Sequence, residues 1–182
     1  MPGSLFPEEA AEPSPSPSPR AESPGEDGGR RGGRGGASAA MPPVLGFEEF
    51  YRGVYLPEHR DARCRALHYA GTAAALAFAA ARPATLLSGA AAVGAGLAVR
   101  KPLESQRSGL PEFAVLLIVF LGLQWGFLGS LSLAAAPLGV GYGCAWVGHF
   151  FLEKNRPATF VHPTLSLMGD FRMFYDAARG AL

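Results

Sequence analysis

Four apolar segments follow one another between residues 69 and 152, and they constrain the fold more than any other feature of the sequence. They cover about Tyr69–Ala81, Pro83–Val99, Phe113–Leu128 and Leu131–Leu152. A helix that spans a bilayer needs roughly 17–25 apolar residues, and only the first segment is clearly shorter than that. The sequence therefore predicts an all-α, polytopic membrane protein with about four transmembrane helices. A re-entrant hairpin is the alternative for the first two segments.

The distribution of basic residues gives the predicted helices an orientation. Basic side chains flank the segments on one predicted side: Arg52, Arg60, Arg63 and Arg65, then Arg100, Lys101 and Arg107, then Lys154, Arg156 and Arg172. The opposite side carries only Arg82. Because basic loops of membrane proteins stay on the cytoplasmic side, we expect both termini in the cytoplasm. The turns at Arg82 and at Gly129–Ser130 are then expected on the far side.

The first 40 residues differ from the rest in being rich in proline, glycine, serine and arginine. Such a segment cannot bury enough apolar surface to fold, so we predict a disordered tail over residues 1–40 and a membrane domain over residues 41–182. Met41 offers an alternative start of translation. A short arginine–glycine patch is offset by acidic residues, and the net charge of +1 gives no reason to expect nucleic acid as a partner.

Two flanking segments have the pattern of amphipathic helices. In Pro42–Pro57 the aromatic and apolar residues recur at helical spacing, and Leu165–Ala178 shows the same periodicity. Such a helix either lies on a membrane surface or packs on the rest of the domain.

A dense polar cluster follows the fourth apolar segment. It begins with His149 and Glu153, which are expected to share one helix face if the helix runs that far. Pro157 and Pro163 then stop the helix and stiffen the chain that leads to His162. A membrane helix that ends in the headgroup region explains the basic residues here better than it explains the histidines.

All four histidines, His59, His68, His149 and His162, fall on the same predicted membrane face. If the first and last helices are neighbours, the four imidazoles converge. Neutral imidazole is the commonest metal ligand, and nitrogen-rich sites suit iron, copper or zinc. We therefore predict a metal site, with Glu58, Glu153 and Asp170 as further ligands, hydrogen-bond partners of ligands, or bases.

The same residues resemble the Mpo1-like (DUF962) family of small membrane proteins. The resemblance extends over about Phe47–Phe174. It rests on Tyr55-Leu-x-x-His59, on Arg65-x-Leu-His68-x-x-Gly71-Thr72, on the block Gly141-Tyr-x-x-Ala-Trp-Val-Gly-His149-Phe-Phe-x-Glu153-Lys-Asn-Arg156-Pro-Ala-Thr-Phe160, and on Ser166-Leu-x-Gly-Asp170-Phe.

The resemblance implies a multi-span protein, resident in the endoplasmic reticulum in a eukaryote. It also implies an iron(II)-dependent dioxygenase that shortens long-chain 2-hydroxy fatty acids by one carbon, as in sphingoid base breakdown. Fe(II) would be the cofactor and His59, His68 and His149 its ligands. Glu153 and Arg156 are the candidate catalytic residues, since a guanidinium such as that of Arg156, Arg63 or Arg65 matches the substrate carboxylate in two hydrogen bonds. The alternative function is a non-enzymatic lipid-binding or scaffold protein.

Overall fold

The computed structural model describes residues 46–103, 106 and 108–182, and these residues form helices and no strands. The prediction of an all-α protein is therefore confirmed for this part of the chain. The helices are α1 (Phe47–Phe50), α2 (Ala62–Ala81), α3 (Ala84–Arg100), α4 (Leu110–Leu128), α5 (Leu131–Val147) and α6 (Pro163–Ala178). The predicted tail 1–40, residues 42–45 and Arg107 lie outside the described residues.

Two wide π turns and two 3₁₀ turns join these helices. The π turn Tyr51–Tyr55 and the 3₁₀ turn Leu56–Glu58 continue α1, and the π turn Gly148–Glu153 continues α5. The 3₁₀ turn Ala158–Phe160 precedes α6. In a π turn each backbone N–H reaches one residue further back than in an α-helix, and such turns are frequent at functional sites.

Local chemistry explains where the long helices begin and end. The Asp61 side chain accepts a hydrogen bond from the backbone of Arg63 at 2.8 Å and so caps α2. As a result α2 begins seven residues before the predicted apolar segment at Tyr69. Between α4 and α5, Gly129 adopts φ of 65° and Ser130 caps the next helix, as the predicted turn requires.

Two helical segments are long and apolar enough to cross a membrane, namely Leu110–Leu128 and the continuous segment Leu131–Glu153. The apolar helix α3 is shorter, and α2 does not qualify although it has 20 residues. The structure thus supports two candidate spans by length and composition, and four spans remain a prediction.

The four long helices form an incomplete ring. Helix α2 packs on α5, α5 on α4 and α4 on α3, whereas the consecutive helices α2 and α3 make few contacts with each other. The close approach of α2 to α5 occurs at Gly71, where an added Cβ would lie 3.2 Å from the Gly141 carbonyl oxygen. Gly122 and Gly126 of α4 have the small-xxx-small spacing that favours close helix packing in membranes. Nothing lies within 4 Å of an added Cβ at either position, so no other described helix approaches α4 closely there.

The two flanking segments pack against each other at one end of the ring. Phe50, Tyr51 and Tyr55 are buried in a cluster with Leu165 and Met173 of α6. Of the two alternatives for the first flanking segment, packing on the domain is therefore the one observed among residues 46–58. The Glu112 carboxylate accepts a hydrogen bond from the Thr164 backbone at 2.9 Å, which fixes the first turn of α6 against α4.

Candidate metal centre

Three histidines from three separate segments meet at this end of the ring. His59 follows the turn after α1, His68 lies in the second turn of α2, and His149 lies in the π turn that ends α5. Their exposed fractions are only 2%, 4% and 3%. The centroids of the His59 ring and the His68 ring are 4.4 Å apart, and those of His59 and His149 are 4.6 Å apart.

In each of the three rings, Nδ1 lies within hydrogen-bonding distance of an oxygen that acts as an acceptor. His59 Nδ1 is 2.6 Å from the Tyr55 carbonyl oxygen, and His68 Nδ1 is 2.7 Å from an oxygen of Asp170. His149 Nδ1 is 2.7 Å from the side-chain oxygen of Asn155. In a neutral imidazole these contacts place the single proton on Nδ1 and leave Nε2 with a free lone pair.

The bare Nε2 atoms face one another in a buried space. His59 Nε2 and His68 Nε2 are 3.2 Å apart, and the candidate ligand atoms of the three rings all lie within 4.8 Å of one another. Burial lowers the pKa of His59 to about 3, which keeps its ring neutral. Converging lone pairs without protons repel one another, and a cation between them relieves that repulsion. The donor set therefore fits a metal ion that accepts imidazole ligands, such as iron, copper or zinc.

A carboxylate and a phenol support the His68 ring. The same oxygen of Asp170 that accepts from His68 Nδ1 also accepts the hydroxyl hydrogen bond of Tyr55. The Tyr55 ring in turn lies against the His59 ring, with centroids 4.2 Å apart. Metal-binding histidines commonly donate their other N–H to such a carboxylate, which fixes the tautomer and raises ligand basicity.

The π turn and the residues after it hold His149. Lys154 has φ of 55°, and the backbone N–H of Asn155 donates back to the His149 carbonyl at 3.1 Å. The Asn155 side chain then lies between two segments: its oxygen accepts from His149 and its nitrogen donates to the Glu58 carbonyl at 2.9 Å. The second contact determines which way the amide is oriented, so it also assigns the proton on His149 Nδ1.

The fourth histidine is not part of the cluster. His162 immediately precedes α6, and its ring stands edge-on to Phe50 with centroids 5.5 Å apart. Among the described residues, the only group of three or more potential ligands that could hold an ion is His59, His68 and His149. The convergence of four imidazoles is therefore observed for three of them.

The two candidate catalytic residues lie at the edge of this arrangement. Glu153 accepts a hydrogen bond from the Asp61 backbone at 2.7 Å and so holds the start of α2. Arg156 is exposed, with its guanidinium 5.1 Å above the Phe160 ring. His149 and Glu153 both lie in the π turn that continues α5 and make different hydrogen bonds, to Asn155 and to the Asp61 backbone. The catalytic roles of Glu153 and Arg156 remain predictions.

The sequence motifs include Tyr55 and Asn155 but did not indicate that these two residues support the histidines. A signal existed for Tyr55, which lies four residues before His59 and so can reach it across one helical turn. Asn155 belongs to the polar cluster, but its role depends on the backbone reversal at Lys154, which leaves no trace in hydrophobic periodicity.

An apolar cavity of about 360 Å³ extends from the histidine cluster into the ring of helices. His68 and Asp170 line it at the end where the cluster lies, and Thr85 lines it near the α2–α3 turn. Between these ends the walls are almost entirely apolar. Its size is within the range of about 300–1,000 Å³ that is typical of ligand-binding pockets.

Comparisons with known proteins place the chain in a family. The family model described as "2-hydroxy-palmitic acid dioxygenase Mpo1-like" matches residues 44–182, which is most of the chain and includes all three clustered histidines. Neither the curated proteins nor the solved structures contain a match to this chain. On the strength of the family match, the chain belongs to the Mpo1-like family.

Proposed function

We propose that this protein is an iron(II)-dependent dioxygenase that removes one carbon from long-chain 2-hydroxy fatty acids. The observation that carries the proposal is the meeting of three buried imidazoles, those of His59, His68 and His149, at one end of an apolar cavity. The family description, which names a 2-hydroxy-palmitic acid dioxygenase, supplies the substrate class. Iron is one of the metals that suit such a site, and unlike zinc it can change oxidation state.

The proposed reaction balances without any further reductant. The 2-hydroxy acid and one dioxygen molecule give the acid shorter by one carbon, carbon dioxide and water. The bond between the carboxyl carbon and the hydroxyl-bearing carbon breaks, and those two carbons together lose the four electrons that dioxygen gains. When bound, Fe(II) supplies the redox chemistry that allows dioxygen to react with such a substrate.

The residues of the chain prepare the site for this reaction. Tyr55, Asp170 and Asn155 hold the protons of the three rings on Nδ1, so the Nε2 atoms stay available as ligands. Burial of the rings excludes bulk water from the centre, and it strengthens the electrostatic interactions there. The apolar cavity receives the hydrocarbon chain, so that the polar end of the substrate lies at the end lined by His68 and Asp170.

We also propose that the protein lies in a bilayer, in the endoplasmic reticulum membrane of a eukaryotic cell, with both termini in the cytosol. Only 22% of each candidate span is buried within the protein, whereas a core helix of a soluble protein is mostly buried. Large apolar side chains such as Ile118, Trp125 and Phe127 are exposed along α4. A bilayer is the environment in which such a surface is stable.

The test is iron content together with product formation by the purified protein. The protein is loaded anaerobically with Fe(II) and then given 2-hydroxypalmitic acid and dioxygen. We expect about one iron per chain and release of the acid shorter by one carbon. His59→Ala and His149→Ala are expected to lose most of the iron and most of the turnover, because a buried metal site needs several ligands at once.

His162→Ala is the matched control, since it removes the one histidine that is not in the cluster. It is expected to retain iron and activity close to wild type. Full iron and full activity in the His149→Ala protein would overturn the proposed site. A metal-free wild-type protein that binds the hydroxy acid without converting it would instead establish the non-enzymatic lipid-binding alternative.

A further inference from the structure

We infer that the cavity between α2 and α3 is the site of the substrate's hydrocarbon chain and that its depth sets the longest chain the protein accepts. This inference rests on the proposed function for the identity of the polar headgroup. It adds a specificity determinant, the face of α3 that contains Gly89. It also adds a limit on chain length.

The walls of the cavity suit a flexible hydrocarbon and little else. Small residues leave the space open on α2, where Gly71, Ala75 and Ala79 follow one another on a single face. Larger apolar side chains close the opposite wall, among them Leu116 and Phe120 of α4. Apart from His68 and Asp170 at the metal end, the polar side chains of the lining are the uncharged Thr72, Tyr142 and Thr85. A ligand with one charged end and a long apolar remainder matches such a lining.

The incomplete ring of helices gives the hydrocarbon chain of the substrate a path into the cavity. Consecutive helices joined by a short turn usually pack together, but α2 and α3 make few contacts, and the cavity fills the gap between them. Leu86, at this gap, is 57% exposed. In a bilayer the gap faces lipid tails, so an amphiphilic acid can enter sideways without passing its chain through water.

The far end of the cavity is closed by a polar contact. The Gln124 side-chain amide donates to the Thr85 hydroxyl at 3.0 Å, and the Ser88 hydroxyl donates to the Gln124 side-chain oxygen at 3.3 Å. Gln124 and Ser88 are completely buried. These hydrogen bonds join α3 to α4, so extending the cavity past Thr85 would leave buried polar groups without partners.

The depth follows from helix geometry. His68 and Ala79 mark the two ends of the cavity on α2, and a rise of 1.5 Å per residue separates them by about 16 Å. An extended hydrocarbon advances about 1.25 Å per carbon, from C–C bonds of roughly 1.5 Å in a zigzag. The cavity therefore accommodates about thirteen carbons beyond the polar end, which corresponds to acids of about fourteen to sixteen carbons.

The test shortens the cavity from one side. Gly89 lines the cavity one helical turn from Thr85 toward the metal end, and an added Cβ there has nothing within 4 Å, so a larger side chain at this position meets no clash at its Cβ. The new ring leaves roughly 10 Å of depth, by the same rise per residue. Gly94→Phe is the matched control, because Gly94 lies on the same helix, also has open space around it and does not line the cavity.

The readout is the ratio of turnover of 2-hydroxypalmitic acid to turnover of 2-hydroxyoctanoic acid. We expect Gly89→Phe to lower this ratio by at least about tenfold, since removing room for several methylenes costs at least as much as one misplaced methylene does. Iron content and turnover of the short acid are expected to stay near wild type, and Gly94→Phe is expected to leave the ratio unchanged. An unchanged ratio in Gly89→Phe would overturn the inference.

A second measurement keeps the inference testable if Gly89→Phe turns over neither acid or if the wild type has no activity. 2-Hydroxypalmitic acid with a diazirine near its methyl end is bound to the wild-type protein and photolysed. Labelling of peptides containing residues 75–79 and 85–93 supports the inference whatever becomes of the proposed reaction. Labelling confined to other helices refutes the inference and leaves the proposed reaction standing.

Discussion

Replacing Asp170 with asparagine tests whether the three histidines act as metal ligands or as ordinary buried side chains. Asp170→Asn keeps the size of the side chain and removes its charge. The wild-type carboxylate accepts from His68 Nδ1 at 2.7 Å and also from the Tyr55 hydroxyl. The substitution therefore weakens the contact that holds the His68 proton on Nδ1.

The expected magnitude follows from this contact. A hydrogen bond to a charged group contributes about 1.5–3 kcal/mol and a neutral one about 0.5–1.5 kcal/mol, so the charge is worth on the order of 1 kcal/mol here. Since about 1.4 kcal/mol corresponds to a factor of ten, the loss in metal affinity should be about fivefold from this term alone. Residues that support metal ligands typically contribute about 10–100-fold, so we expect a Kd for Fe(II) raised by about that factor.

The assay is an anaerobic competition titration of Fe(II) against a chromogenic chelator, with the protein in detergent. Asp176→Asn is the matched control, because Asp176 lies on the same helix and also accepts a tyrosine hydroxyl, that of Tyr51 at 2.9 Å, but it contacts no histidine. It is expected to bind iron as the wild type does. Equal iron affinity in Asp170→Asn and wild type would refute the reasoning, as would equal weakening in both variants.

Three further predictions concern packing, topology and the amino-terminal segment. Gly148→Ala places a Cβ 2.7 Å from Cys64 Sγ, so it should destabilise the protein by about 1–3 kcal/mol. Adding Cys64→Ala should restore most of the lost thermal stability, and a double variant no more stable than Gly148→Ala alone would show that this contact is not the cause. A cysteine introduced at Arg82 should react with an impermeant thiol reagent only from the far side of the membrane and one at Ala181 only from the cytosol; labelling of Ala181 from the far side would show the topology to be wrong. Removing residues 1–40 should change neither membrane insertion nor iron content, because that composition cannot pack a core; a loss of either, measured by membrane fractionation and metal analysis, would count against the predicted tail.

Hydrophobic patterning predicted the long helices well. The turns at Arg82 and at Gly129–Ser130 fall where α2 gives way to α3 and α4 to α5. The start of α2 was missed because an amphipathic first turn, capped by Asp61, contains no apolar run. Whether α2 and α3 cross a membrane is decided by packing and by the bilayer, and sequence patterns of borderline length do not determine it.

The sequence predicted those parts of the candidate site that follow from the order and direction of the helices. Placing the histidines on one face of antiparallel helices was enough to expect His59, His68 and His149 together. His162 lies outside the cluster because the chain after Pro157 turns toward α6, where the His162 ring packs against Phe50. The role of Glu153 could not be foreseen either, since a π turn changes which side chains face the same way.

The origin of the three rings has a consequence for how the protein matures. His59 and His68 emerge from the ribosome early, whereas His149 and the supporting Asp170 belong to the last fifth of the chain. During synthesis the first two histidines are therefore present without their third partner, and a nascent chain lacks the complete three-histidine cluster. A metal ion that needs all three rings can be held only after the segment that contains His149 has been made and has folded against α2.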